Sequence, residues 1–385
     1  MFFTLVGALQ VLLAARVFFR MLRTAGGQRV ETCDQPSSER ISVILPVLNE
    51  ASRIAGCLEG LITQPREIAE ILVVDGGSTD RTRAIVEDYR SRDARVQWLD
   101  ASPVDPNWTG KSWGLNFGLA SSSPSSQWIL CIDADVRVSA QLARSLLAHT
   151  ACAEAAAFSI ATRQHLSGAL DAFIHPAFLT TLVYRFGPPG TASENRHHVH
   201  ANGQCFFGRR DILIATEAFA AAKTSLCEDI TIVRRLAECG ESAGFYETAG
   251  LADVWMYGDW RETWANWPRS LPMRDQYFGA TEAIGLLEVL WVQGAPLPMV
   301  VLCWGLRAPV WLFMINAGLL TARLGVLAGT ARAYPDRPWT YWLSPFCDFP
   351  AALRLLQTAL SRKQSWRGRS YVRRSAGRFI PMDSL

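Results

Sequence analysis

From Ile41 onward the chain alternates between short runs that are almost wholly apolar and longer segments whose apolar residues recur with helical spacing. ISVILPV (41–47), EILVVD (70–75), VQWLD (96–100) and QWILCID (127–133) are of the first kind. NEASRIAGCLEGLIT, TDRTRAIVEDYRSR and KSWGLNFGLAS, which separate them, are of the second. Strands that are apolar on both faces must be buried on both, which calls for helices above and below a mostly parallel sheet. The predicted fold class is therefore α/β.

The two flanks follow a different pattern. MFFTLVGALQVLLAARVFFRMLR (1–23) is apolar for nearly a membrane thickness and turns basic at Arg16, Arg20 and Arg23. A secretory signal carries its charges before the apolar run, so this order reads as a retained anchor whose basic end, and the domain after it, face the cytoplasm. Gln10 and Arg16 leave the apolar core short of the roughly 20 residues a spanning helix needs, so an in-plane helix is the alternative. Residues 24–40 are polar and turn-rich and read as a linker. From Ala283, AIGLLEVLWVQGAPLPMVVLCWGL and APVWLFMINAGLLTA are together long enough for a hairpin of spanning helices, with Glu288, Gln293, Pro296 and Pro298 interrupting the first. WTYWLSPFCDFPAALRLLQTAL carries Asp348, Arg354 and two prolines, and reads as an interfacial or re-entrant segment. The expected organisation is an anchor (1–23), a linker (24–40), an α/β domain (41–282), membrane-associated helices (283–361) and a basic cytoplasmic tail (362–385).

A hydrophobic content of 49% excludes a disordered chain, and a net charge of +3 over 385 residues argues against a nucleic-acid partner. The positive charge collects in the tail, where SRKQSWRGRSYVRRSAGR holds seven Lys or Arg and no acid. Beside a hydrophobic segment such a run suits the lipid bilayer surface; a plain solvated tail is the other reading. Nine cysteines without a CxxC spacing suggest neither a disulfide framework nor a zinc site.

The chemistry gathers past the carboxyl ends of the strands, at Asn49, Glu50, Asp75, Asp133 and Asp135, the edge at which open parallel sheets bind ligands. Asp133 and Asp135, separated by one alanine, would repel each other into partial protonation unless a cation were near. A solvated loop is the plain reading. The companion acids favour a hard divalent ion, Mg²⁺ or Mn²⁺, completed by water and substrate phosphates. Neither a Walker lysine loop nor a GxGxxG is present. Glu228 and Asp229 open an apparent helix, DITIVRRLAECG, where acids also serve the helix dipole. RHHVH (196–200) lacks an obvious carboxylate to support a metal. Trp260, Trp264 and Trp267, near helical spacing, suit core packing or a membrane interface.

PVLNEASRI, VVDGGSTDRT, NWTGKSWGLNFGL, IDADVR and LCEDITIVRRL, in this order, resemble the inverting family 2 glycosyltransferases with a GT-A nucleotide-binding fold. The resemblance runs from about residue 41 to 275. It implies a mixed, mostly parallel sheet and sugar transfer from a nucleotide-sugar donor. By the family pattern Pro46 and Glu50 line the nucleotide pocket, Asp75 contacts base and ribose, and Lys111 lies near the diphosphate. Asp133 and Asp135 belong to the metal and nucleotide site, and Asp229, second of the ED pair after Glu228, is the catalytic base. NGQCFFGRRD places Gly203 and Gln204 under the sugar and acceptor, with Glu228 beside them.

The family's frequent QxxRW motif is missing, and Arg269 and Arg274 are the candidates to replace its diphosphate contacts. NWTGK, the ED pair, the stretch MYGDWRETWANW and the C-terminal apolar segments together resemble the branch that glycosylates membrane lipids. That branch implies a lipophilic acceptor in a bacterial inner or thylakoid-type membrane, first a hydroxylated carotenoid, second a ceramide or hopanoid. A nucleotidyltransferase at the same metal-diphosphate site and an inactive membrane scaffold are the competing readings.

Overall fold

The structure, a computed structural model, describes residues 2–153, 155–366, 369–374 and 377–382. The apolar runs become strands: Ile41–Val47, Ile68–Asp75, Val96–Asp100 and Trp128–Ile132. All four are parallel, with Ile41–Val47 between Ile68–Asp75 and Trp128–Ile132, and Val96–Asp100 on the outer side of Ile68–Asp75. Cys205–Arg209 then runs antiparallel between Trp128–Ile132 and Ala157–Ile160, and Ala243–Thr248 continues the sheet parallel to the latter. The result is a mixed, mostly parallel sheet with an apolar cluster on each face, as its two-sided strands require. The expected linker contributes to the same sheet, since Arg29–Val30 pairs with Glu247 and Thr248.

Two segments, Phe3–Thr24 and Val310–Ala333, are long and apolar enough to cross a membrane. A third pair, Ala280–Gly294 and Pro296–Gly305, meets at a bend of 51°. The bend follows a π-helical turn, Val289–Gly294, at the point where Pro296 offers no backbone N–H.

The polar residues that interrupt these apolar runs are the ties between them. Glu288, fully buried, accepts from Arg16 Nε at 2.7 Å and Arg20 Nη2 at 2.8 Å, which clamps the N-terminal helix to the bent pair. Gln10 Nε2 donates to Asn316 Oδ1 at 2.7 Å. Arg323 Nε donates to Asp348 Oδ2 at 2.8 Å, and Gln293 Nε2 to Asp348 Oδ1 at 2.8 Å. Breaking a buried pair strands a charge, at a typical cost of about 3–5 kcal/mol. Asp348→Ala should therefore lower the unfolding free energy of the detergent-solubilised protein by about that much. An unchanged denaturation midpoint would show that Arg323 needs no partner.

The tryptophan stripe is core. Trp267 is only 8% exposed and packs on His175 at 4.0 Å, and Trp264 packs on Phe178 at 5.4 Å. Trp260 and Trp291 are half-buried and pack against the clusters around Phe178 and Tyr184. The indoles that face outward are others, foremost Trp304 at 84% and Trp339 at 72% exposure. Trp339 opens Trp339–Cys347, a 3₁₀ stretch, and the Asp348–Leu360 helix follows it.

Candidate active site

The carboxyl ends of Ile41–Val47, Ile68–Asp75 and Trp128–Ile132 open onto one cavity of about 430 Å³. Its wall includes Pro46, Glu50, Lys111, Asp133, Asp135, Gly203, Gln204, Glu228, Asp229 and Arg269, so residues far apart in sequence share one crevice. Register brings two of the segments together. Cys205 lies opposite Ile132, which carries Gln204 O to within 3.2 Å of the Asp133 N–H.

The Glu228–Glu238 helix supplies the acid pair from the other side. Its approach is held by Thr109, whose N–H donates to Lys223 O at 2.7 Å and whose hydroxyl donates to Ser225 O at 3.0 Å. Asp229 Oδ2 accepts from Gly203 N at 3.0 Å and Oδ1 from Ile230 N at 2.8 Å. Gly203 has to be small there. A Cβ on it would lie 3.1 Å from Lys111 Nζ and 3.2 Å from Glu228 Oε1.

Part of the missing positive charge comes from the chain itself. Lys111 Nζ sits 2.7 Å from Asp133 Oδ1 and 2.7 Å from Glu228 Oε1, joining the DxD loop to the ED pair. Burial alone would lower the Lys111 ammonium, but Asp133 and Glu228 outweigh it and hold it well above its usual range. Burial likewise opposes the charge on Glu228, yet Lys111 keeps that carboxyl below the ordinary carboxylate range.

The second member of each acid pair is treated differently. Burial, then the Glu228 charge, pushes Asp229 up to about 7. Burial, then Asp133 and Glu50, pushes Asp135 up to about 7. Asp135 Oδ1 is buried without a hydrogen-bond partner. That buried oxygen beside a second carboxylate fits a divalent ion bound through Asp135. Among the described residues no three His, Cys, Asp or Glu converge as a complete protein cage, so water and phosphate would fill the remaining positions.

Three expected residues have partners within the protein itself. Asp75 is buried at the end of its strand, between Val74 and Gly76, which line the cavity. Its carboxylate accepts from Gly77 N at 3.1 Å and from Ser78 N at 2.9 Å, a turn that places Gly77 at a φ of +98°. Gln204 lines the cavity, but its Oε1 already accepts from Thr162 Oγ1 at 2.5 Å and from Asn202 Nδ2 at 2.9 Å. Arg269 is in the wall, whereas the Arg274 guanidinium lies 4.0 Å over the Phe278 ring. In RHHVH, His197 Nδ1 is 2.9 Å from Glu282 Oε1 and His200 stacks on Phe186 at 4.6 Å. Sequence reasoning missed Arg53, Arg369 and Tyr371, all of which line the cavity.

Residues 42–216 match the family model for glycosyl transferase family 2. This segment is a family 2 glycosyltransferase domain. The lipopolysaccharide core biosynthesis glycosyltransferase LpsC of Rhizobium meliloti is 32% identical over 130 residues, which cover 33% of this chain and 44% of that protein. Glycosyltransferase GlyG of Streptococcus pneumoniae is 32% identical over 98 residues, covering 26% and 31% respectively. The chain thus spans less than half the length of these relatives. Among solved structures, the mannosyltransferase PcManGT of Pyrobaculum calidifontis, in complex with GDP-Man and Mn²⁺, superposes with a TM-score of 0.53 at 18% identity. It covers 91% of this chain and 99% of that one, which shows a common fold. The family 2 domain contains Lys111, both DxD acids and Gln204. Glu228 and Asp229 lie beyond the matched residues, and tertiary packing sets them against it.

Proposed function

We propose that the protein transfers a sugar, with inversion, from a nucleotide-sugar donor to a hydroxyl of a lipophilic acceptor at a membrane surface. The observation that carries this reading is the pairing, around one cavity, of Asp135 with a partnerless buried oxygen and Asp229 with a raised pKa. The complex of PcManGT with GDP-Man and Mn²⁺ supports a nucleoside diphosphate sugar as donor and a divalent ion as cofactor.

The chemistry is one displacement. Asp229 takes the proton from the acceptor hydroxyl as its oxygen attacks the anomeric carbon. The bond from that carbon to the diphosphate oxygen breaks, and its electron pair leaves with the nucleoside diphosphate. Asp135, with Asp133 toward the nucleotide end, would hold Mg²⁺ or Mn²⁺, whose charge when bound offsets that of the departing diphosphate. Lys111 holds Asp133 and Glu228 in place and keeps Glu228 ionised. Pro46 and Glu50 shape the nucleotide side, Arg269 the diphosphate side, and Gly203 lets the acceptor segment approach the base. Asp75, which braces its turn through Gly77 N and Ser78 N, would contact the base and ribose.

The acceptor follows from the flanks. Two helices able to span a bilayer, and exposed indoles at Trp304 and Trp339, bracket a domain that a water-borne acceptor would not require to be tethered. The domain then faces the cytoplasm of a bacterial inner or thylakoid-type membrane. A hydroxylated carotenoid is the first acceptor and a ceramide or hopanoid the second, on family likeness. The test supplies detergent-solubilised enzyme and Mn²⁺ with UDP- or GDP-sugars and, separately, each lipid or a soluble oligosaccharide. A glycosylated lipid product is expected; extension of the oligosaccharide alone would overturn the acceptor class.

A further inference from the structure

We propose that Arg369, carried by the C-terminal segment, is a donor-binding residue that pairs with a phosphate of the nucleotide sugar. This rests on the donor reading above. The basic run after the last helix suggested a solvated tail or a lipid contact. The structure instead pairs its strands Lys363–Trp366, Arg369–Arg373 and Phe379–Pro381 into an antiparallel sheet. Residues 367–368 and 375–376 of that run, and 383–385 after it, lie outside the described residues.

The sheet is fastened at two places. Arg373 donates to Ala359 O at 2.6 Å and Leu360 O at 3.2 Å, the last carbonyls of the Asp348–Leu360 helix. Tyr371, 1% exposed, packs with Leu226 and Phe379, and Phe379 N donates to Thr224 O at 2.8 Å. The second attachment is the loop that leads directly into Glu228 and Asp229.

That seat leaves Arg369 and Tyr371 in the cavity wall. Arg369 Nη2 donates to Gly76 O at 3.2 Å, and Nη1 lies 3.2 Å from where a Cβ on Gly110 would stand. The guanidinium therefore spans the gap between the end of Ile68–Asp75 and the start of Gly110–Ser121, the helix that carries Lys111. Lys111 is already engaged by two carboxylates, whereas Arg369 pairs with no carboxylate among the described residues. A diphosphate entering a wall that also carries Glu50, Asp133, Asp135, Glu228 and Asp229 needs an uncommitted cation, and a guanidinium grips phosphate through two parallel N–H donors.

The test measures UDP and GDP binding to the full-length, detergent-solubilised protein with Mn²⁺ by calorimetry. Arg369→Ala should weaken binding of the preferred nucleotide about tenfold or more, the scale of one charge-assisted hydrogen bond. Arg369→Lys should recover part of the loss. Arg374→Ala, an exposed arginine of the same run, should change nothing. If Arg369→Ala unfolds, Arg369→Gln, which keeps a polar side chain and its methylene stem but loses the charge, is expected to show the same weakening. Wild-type affinity in both neutral variants would overturn the assignment while leaving the donor reading intact. Failure of the wild type to bind either nucleotide would overturn both.

Discussion

Asp229→Asn is expected to leave nucleotide-sugar binding unchanged and to lower kcat by about 10²–10⁴, the usual contribution of a general base. The amide keeps the shape of the carboxylate and its acceptor oxygen for Gly203 N, but cannot take the acceptor's proton. The same group sets a pH signature. A base must be ionised to act, and the Asp229 carboxyl is pushed up to about 7. For the wild type, kcat/KM should therefore fall as pH drops through about 7 and level off above it. At saturating Mn²⁺, which holds Asp135 ionised, the residual rate of Asp229→Asn should lose that acidic limb. A variant with wild-type turnover, or one that keeps the limb at saturating metal, would remove Asp229 from the role of base.

Asp135→Ala should lower transfer by at least about 10², the scale on which losing stabilisation of a developing charge is measured. It should also abolish tight binding of Mn²⁺, read directly by electron paramagnetic resonance. Asp133→Ala differs in kind. Asp133 lies within 2.7 and 2.9 Å of Lys111 through its two oxygens, so its loss frees the ammonium to lean toward Glu228, and metal affinity should fall less than in Asp135→Ala. Excess EDTA should silence the wild type, and added Mg²⁺ or Mn²⁺ should restore it. Full activity in EDTA would rule out the divalent ion.

Much of the α/β domain was legible because its signals are local. The run ISVILPV is apolar at each position, and only a strand covered on both faces buries it, so Ile41–Val47 was readable to the residue. The helix after Cys227 was equally plain, with its two acids in the first turn. The DxD pair announced an unbalanced charge at a strand end, since repulsion between neighbouring carboxylates follows from their spacing alone.

What only the tertiary structure decided was which distant charges meet. Lys111 looked like a phosphate ligand, yet packing sets it between Asp133 and Glu228, which lie 95 residues apart in the chain. Glu288, Gln293 and Asp348 looked like interruptions of apolar helices, because a hydropathy pattern records a polar residue without its partner. The tryptophans at 260, 264 and 267 had the spacing of a face, but spacing does not say whether lipid or another helix covers that face, and here it is the Ala169–Phe186 helix. The basic tail shows the same limit. A run of arginines reads as solvated until alternate residues such as Tyr371 find a buried seat, and that seat, beside the loop before Glu228, exists only once the chain has folded.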